Sequence, residues 1–166
     1  MKSLISLRRA SGLALIAAAW AGTAGADDTA NMTVTANVAP SCQLTTVDTL
    51  GFGTLDPTSD NDAQADITWV CTSGFNTTIE LDGGSSGDLT ARTMGGSGIL
   101  PYQLFRDAAR TEVFGDGSAG SFTTPVSGTG YGNPDTVTVY GRVDQADAAA
   151  AVAGNYLDTV GVTIVF

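Results

Sequence analysis

No histidine occurs among the 166 residues. That removes the imidazole base of the usual nucleophilic triads and the commonest metal-binding side chain. Only two cysteines are present, Cys42 and Cys71, and two lone thiols without histidine make a poor metal site. In an exported chain one such pair most simply forms one disulfide, which also takes Cys71 out of consideration as a nucleophile. Carboxylates are plentiful, 17 in all, so spacing alone does not forbid a glycosidase pair. Glu80 and Glu112 are the only glutamates, however, and most aspartates stand among Asn, Ser, Pro and Gly, where Asx-turns and solvation account for them. Asp60-Asn61-Asp62 with Gln64 and Asp66 has the oxygen-rich look of a calcium loop. It lacks the glycine at the sixth and the glutamate at the twelfth position of an EF-hand, and reads better as a solvated acidic loop. The clusters Gly83, Gly84, Gly87 and Gly95, Gly96, Gly98 lack the Lys-Ser/Thr of a phosphate-binding loop and read as tight turns. Tyr102, Tyr131, Tyr140, Tyr156 and Trp69 could form a sugar platform, but aromatic residues at strand positions belong more often to the core. Tyr131 is the one placed in a loop. The residues therefore predict no enzyme, no cofactor and no metal.

The elements that position these residues begin after a leader. Lys2, Arg8 and Arg9 precede an apolar run from Leu13 to Ala21 and the small residues Ala24-Gly25-Ala26, the pattern of a secretory signal peptide. The run is shorter than the roughly 20 residues of a membrane span. The reading places cleavage after Ala26 and leaves one domain-sized chain from Asp27. The leader holds three of the seven basic residues and no acidic one, so the remainder carries four arginines, 17 acidic residues and a net charge of −13. Such a surface repels nucleic acid and anionic lipid.

The mature region reads as short strands. Met32, Val34, Ala36 and Val38 alternate with polar residues, and Ala39-Pro40-Ser41 interrupts the run. Cys42 to Leu50 is a strand ending at Gly51-Phe52-Gly53. Asp56 to Asp66 is a loop, Ile67 to Cys71 a doubly buried strand, and Phe75 to Leu81 a cleanly alternating one. Leu89 to Met94 is a short edge strand, Leu100 to Phe105 a strand, and Thr111 to Phe114 a short return strand. Thr124 to Pro134 is a loop, and Val137 to Val143 is a strand with a bulge at Gly141. Asp144 to Gly154 has room for one helical turn. In Asn155 to Phe166, Val160, Val162, Ile164 and Phe166 alternate with Thr159, Gly161, Thr163 and Val165. This last strand has no following segment to cover its edge, and the Met32–Val38 segment of a neighbouring molecule is the expected cover. Many short strands between glycine and proline turns predict an all-β sandwich or barrel.

Several pieces, in order, resemble the spore coat protein U family, which includes the archaic chaperone–usher pilins. They are Cys42 with Leu50-Gly51-Phe52-Gly53; Val70-Cys71-Thr72; Arg92-Thr93-Met94; Leu100-Pro101-Tyr102-Gln103-Leu104-Phe105-Arg106-Asp107; Val139-Tyr140-Gly141-Arg142-Val143; and Gly154-Asn155-Tyr156-Leu157-Asp158-Thr159-Val160. Phe114 stands where members often carry tryptophan. The resemblance implies an incomplete immunoglobulin-like sandwich, residues 41–166, preceded by a donor strand at 27–40 and completed by donor-strand addition. A periplasmic chaperone lends the missing strand, and an outer-membrane usher exchanges it for the next subunit's N-terminal strand. Carried over, Met32, Val34, Ala36 and Val38 are donor residues. Val160, Val162, Ile164 and Phe166 wall the acceptor groove, and Cys42 and Cys71 tie the first two body strands together. The implied role is a pilus subunit at the cell surface serving adhesion or biofilm formation. The alternatives are a spore or cell coat protein and a secreted sugar-binding module.

Overall fold

β-branched and aromatic residues in short alternating runs, separated by glycine, give nine strands, two sheets, one short α-helix and one 3₁₀ turn among the described residues. The computed structural model describes Gly25 and residues 27–166; the expected signal peptide, apart from Gly25, lies outside the described residues. The first unit, Met1–Ala36, contains no strand among its described residues, and Met32 and Val34 are 87% and 84% exposed.

The second unit, Asn37–Phe166, carries the sheets. The larger one has the order β1–β2–β7–β5–β4–β8, with β1 Cys42–Val47, β2 Asn61–Cys71, β4 Arg92–Gly96, β5 Ile99–Phe105, β7 Asp135–Val143 and β8 Tyr156–Leu157. The smaller has the order β6–β3–β9, with β3 Asn76–Leu81, β6 Thr124–Ser127 and β9 Val162–Val165. All these pairings are antiparallel. The inward faces of β2, β3, β5 and β7 meet in one core that includes Ile67, Trp69, Ile79, Leu81, Leu104 and Val139. The Cys42–Cys71 disulfide joins opposed residues of β1 and β2. The helix α1, Gln145–Ala150, has six residues and puts Ala148 into the core. A helix that short depends on packing rather than on its own propensity.

Several expectations need correction. Asn61–Asp66 is strand, because β7 offers a continuous ladder from Asn61↔Val143 to Asp66↔Thr138; only residues 56–60 remain loop. Asp56 accepts the Thr58 N–H and hydroxyl there, as an Asx-turn should. Thr124–Ser127 is strand rather than loop, paired with β3. The return strand at Thr111–Phe114 reduces to two isolated bridges, Phe105↔Val113 and Phe114↔Phe122. The expected edge strand lies later, at Arg92–Gly96, and is flanked by both β5 and β8. Gly141 makes no bulge, since the register beside it is regular. It is glycine because Leu50 and Phe52 lie on the sheet there: a Cβ would stand 2.8 Å from Leu50 Cδ2 and 2.9 Å from Phe52 Cζ. The single bulge of the β1–β2 ladder falls instead between Leu44 and Thr46. The alternating segment Met32–Val38 forms no strand.

Candidate functional site

The last strand is paired on one side. Among the described residues, β9 has a ladder with β3 and β1 has one with β2. Among the described residues the outer edge of each carries no further strand. Beside them lies an apolar groove of about 930 Å³. One wall is the chain leaving β1, from Val47 through Leu50 and Phe52 to Leu55; the other is the stretch from Ala151 to Val162. The floor includes Ile67, Leu81, Leu100, Tyr102, Leu104 and Val139, the core itself. Leu44, Leu50, Phe52, Leu55, Val160, Val162 and Ile164 pack on that core yet stay only partly buried. Rows of half-covered apolar side chains thus stand beside strand edges that are unpaired among the described residues.

The expected wall residues divide. Val160 and Val162 line the groove, and Ile164 packs against the core further along the same strand. Phe166 is not part of the lining; it is 65% exposed and meets Phe75 edge-on, with ring centroids 6.0 Å apart. Near that end the Thr77 hydroxyl donates to the Val165 carbonyl. The opposite wall was not read from the sequence as a groove. Its signal is Leu50 and Phe52, two apolar residues alternating with Gly51 and Gly53, with Phe52 edge-on to Tyr102 at 6.4 Å. Of the expected donor residues, Met32, Val34, Ala36 and Val38 are all exposed.

The charged residues near the groove are held by specific partners. Arg92 is fully buried and satisfies all its donors: Nε and one terminal nitrogen donate to the Asp82 carbonyl at 3.0 and 2.7 Å, and others to Leu89 O, Phe114 O and Gln103 Oε1. Burial pulls its pKa down, and the charges of Asp82, Asp158 and Asp88 and the nearby Tyr102 pull it back. A buried guanidinium survives when every N–H finds an acceptor. Tyr102 donates to Asp158 Oδ2 at 2.5 Å. Burial first, and then this hydrogen bond, push the phenol pKa well above its ordinary value. Burial alone would raise the Asp158 carboxyl, but hydrogen bonds from the Ser85 hydroxyl and N–H, the Tyr102 hydroxyl and the Thr159 N–H leave it below the ordinary carboxylate value. Away from the groove, Asp62 meets Arg142 at 2.8 Å and Arg110 at 3.2 Å, Asp60 meets Arg142 at 3.5 Å, and Asp66 accepts from Thr138 at 2.7 Å. Asp62 and Asp66 are thus ion-paired or hydrogen-bonded residues of β2, and Asp60 is an ion-paired residue of the loop before it. Trp69 and Tyr102 are core residues. The exposed Tyr131 shares a hydrogen bond of 2.5 Å with the Ser41 hydroxyl.

The family model for the spore coat protein U domain matches residues 28–163. No curated protein sequence matches the chain. Among solved structures, the chain is similar to one chain of the CsuC–CsuE chaperone–tip adhesion subunit pre-assembly complex from archaic chaperone–usher Csu pili of Acinetobacter baumannii. That likeness has a TM-score of 0.52 at 21% identity and covers 78% of this chain and 40% of that one. The chain thus spans less than half the length of the structure it resembles, and what they share is the fold. The match of sequence to the family model over 28–163, on an all-β body of antiparallel sheets, means that this protein belongs to the spore coat protein U domain family.

Proposed function

We propose that the protein is a structural subunit of a surface pilus, exported to the periplasm and assembled by a chaperone and an usher through donor-strand exchange, in the service of adhesion or biofilm formation. The observation that carries this is the apolar groove between residues 47–55 and 151–162, which reaches Val162 at the start of β9, a strand paired on one side only among the described residues. The likeness to a chain from a chaperone–tip adhesion subunit complex of a chaperone–usher pilus supports the same reading. The groove chemistry is that of strand addition: ladder hydrogen bonds to the β9 edge give affinity, and alternate side chains fill the groove. Met32, Val34, Ala36 and Val38 suit the inward positions, with Thr33, Thr35 and Asn37 outward.

Strand direction explains why the segment serves another molecule. Cys42, the first residue of β1, faces Cys71. Phe166 packs on Phe75, just beyond Cys71, and Val165 pairs with Thr78. β1 therefore starts at the end of the body where β9 finishes. A strand inserted antiparallel to β9 runs parallel to β1 and ends near Val47. To return to Cys42 the chain would retrace about six residues, roughly 20 Å. The three residues Ala39-Pro40-Ser41 reach at most about 11 Å extended, and parallel neighbours need a crossover of about a dozen residues.

Burying four side chains of this kind contributes on the order of 5–9 kcal/mol, and each added ladder hydrogen bond about 1 kcal/mol. The sum is comparable with a whole domain's stability of roughly 5–15 kcal/mol. A subunit with an empty groove is then marginal, and a joined one is durable. A coat protein would use the same chemistry, so the deciding observation is where the assembled product stands. Electron microscopy of cells with and without the protein should show surface fibres that vanish with it. Unchanged fibres, or product confined to a coat, would overturn the pilus reading.

A further inference from the structure

The wall of the groove formed by residues 158–162 is irregular chain leading into a four-residue strand, and an empty slot lies on its open side. Such a segment would be expected to collapse into the slot or fray. Two carboxylates hold it from behind. Asp82, next after β3, accepts the Gly161 N–H at 2.8 Å through its side chain and donates its own N–H to the Gly161 carbonyl at 3.1 Å. Both backbone groups of Gly161 are thereby engaged on the side away from the groove. A side chain at 161 would collide with the Asp82 carboxylate, so the glycine is required by this contact. Asp158 reaches the same region from the other end of the segment: Oδ1 accepts the Ser85 N–H at 2.9 Å and the Ser85 hydroxyl at 2.5 Å, and Oδ2 accepts the Tyr102 hydroxyl. Behind them stands buried Arg92, with two nitrogens on the Asp82 carbonyl. Val160, between these anchors, and Val162, just past them, line the groove.

We propose that Asp82 and Asp158 are positioning residues of the acceptor wall, which hold Val160 and Val162 open for an incoming strand by tying the chain at 158–161 to buried Arg92 and Tyr102. The proposal rests on the reading of the groove as a strand acceptor. Arg92 fixes the Asp82 backbone, Asp82 fixes Gly161, and Tyr102 and Ser85 fix Asp158. The wall is then shaped before the strand arrives, which lowers the ordering cost of strand uptake. Neither carboxylate need touch the strand.

The test uses the full chain from Asp27 and two readouts. The first is binding of a synthetic peptide of residues 27–40, followed through Trp69, the one tryptophan of that chain. The second is amide hydrogen exchange at 159–165 compared with 137–143. Asp158→Ala should weaken peptide binding at least ten-fold and speed exchange at 159–165, leaving 137–143 protected; Asp158→Asn, which keeps one acceptor oxygen, should recover part of both. Tyr102→Phe, which removes one hydroxyl, serves if the alanine variant does not fold, and should shift both readouts the same way by a smaller factor. Parent-like binding and parent-like exchange at 159–165 in the folded variants would overturn the proposal. If the peptide fails to bind even the parent chain, the acceptor reading falls. Exchange at 159–165 then still decides whether Asp158 holds that segment.

Discussion

Replacing Gly141 with alanine should separate the stability of the body from its capacity to take up a strand. The new Cβ would stand 2.8 and 3.1 Å from the two Leu50 methyl carbons and 2.9 Å from Phe52 Cζ. All three atoms are ends of side chains, so they can move, and they can move only away from the sheet. That direction leads into the groove, where about 930 Å³ is available. Overpacking of a filled core costs about 1–3 kcal/mol. With empty space in front, the lone subunit should lose no more than about 1 kcal/mol, a shift of roughly 3 °C in Tm. The rest of the penalty should appear when a strand claims the space taken by Leu50 and Phe52. A further 1–2 kcal/mol there is about a 5- to 30-fold loss of affinity for a peptide of residues 27–40. The assay is thermal unfolding of the subunit beside titration with that peptide, read through Trp69. A large fall in Tm with undiminished affinity would refute the reasoning, because it would place Leu50 and Phe52 in a closed core and not at the wall of a receptive groove.

Three other outcomes follow from the same structure. Cys42→Ser opens a loop with a sequence separation of 29 residues and should cost about 3.6 kcal/mol on the chain-entropy account; denaturant unfolding measures it, and a loss under about 1 kcal/mol would contradict that account. In acid, the Asp158 carboxyl, pushed up by burial but held lower overall by its hydrogen bonds, and the Asp62 carboxyl, lowered first by its hydrogen bond from Arg142, work in one direction. Their stabilisation is present above the unfolded carboxylate value of about 3.9 and is lost as pH falls through the lower folded values. Asp158→Asn should therefore flatten the pH–stability curve below about pH 4, and an unchanged slope there would count against the Asp158 contacts. Finally, from Asp27 onward the chain has no lysine, and its four arginines are buried or engaged by Glu112, Asp62 or Asp60. Copies carrying −13 each repel one another, so subunit association without helper proteins should accelerate as salt rises towards 0.15 M, where the Debye length is about 8 Å; retardation by salt would mean that attraction between opposite charges drives it.

Side-chain chemistry with a strong local signature was legible in the sequence. Ile67 to Cys71 contains no turn residue and three β-branched ones, and it is strand. Cys42 and Cys71 had no other partners, and they are bonded. What stayed hidden depends on neighbours distant in sequence. Asn61–Asp66 looks like a loop until β7 supplies nine paired positions along β2 and Arg142 and Arg110 neutralise Asp62. Gly141 looks like a bulge until Leu50 and Phe52, some 90 positions earlier, are laid over it. Arg92 stands in the family-like piece Arg92-Thr93-Met94, but nothing within its own strand announces that carbonyls from Asp82, Leu89 and Phe114 converge on it. The groove is a similar case. Of the alternating Val160, Val162, Ile164 and Phe166, the first two line it, but the facing wall is a loop, and loops carry no periodicity to read.

The central claim is that one subunit's N-terminal segment fills another's groove, and a mixing experiment tests it most directly. Val34→Asp places a charge in the donor, which an apolar groove rejects, while its own groove stays intact. Val160→Asp places a charge in the groove wall and leaves the donor intact. Size-exclusion chromatography with light scattering should find each variant monomeric when alone and a one-to-one dimer when the two are mixed, since one donor and one groove remain between them. Polymers from Val34→Asp alone, or a mixture that stays monomeric while the parent chain polymerises, would contradict the account.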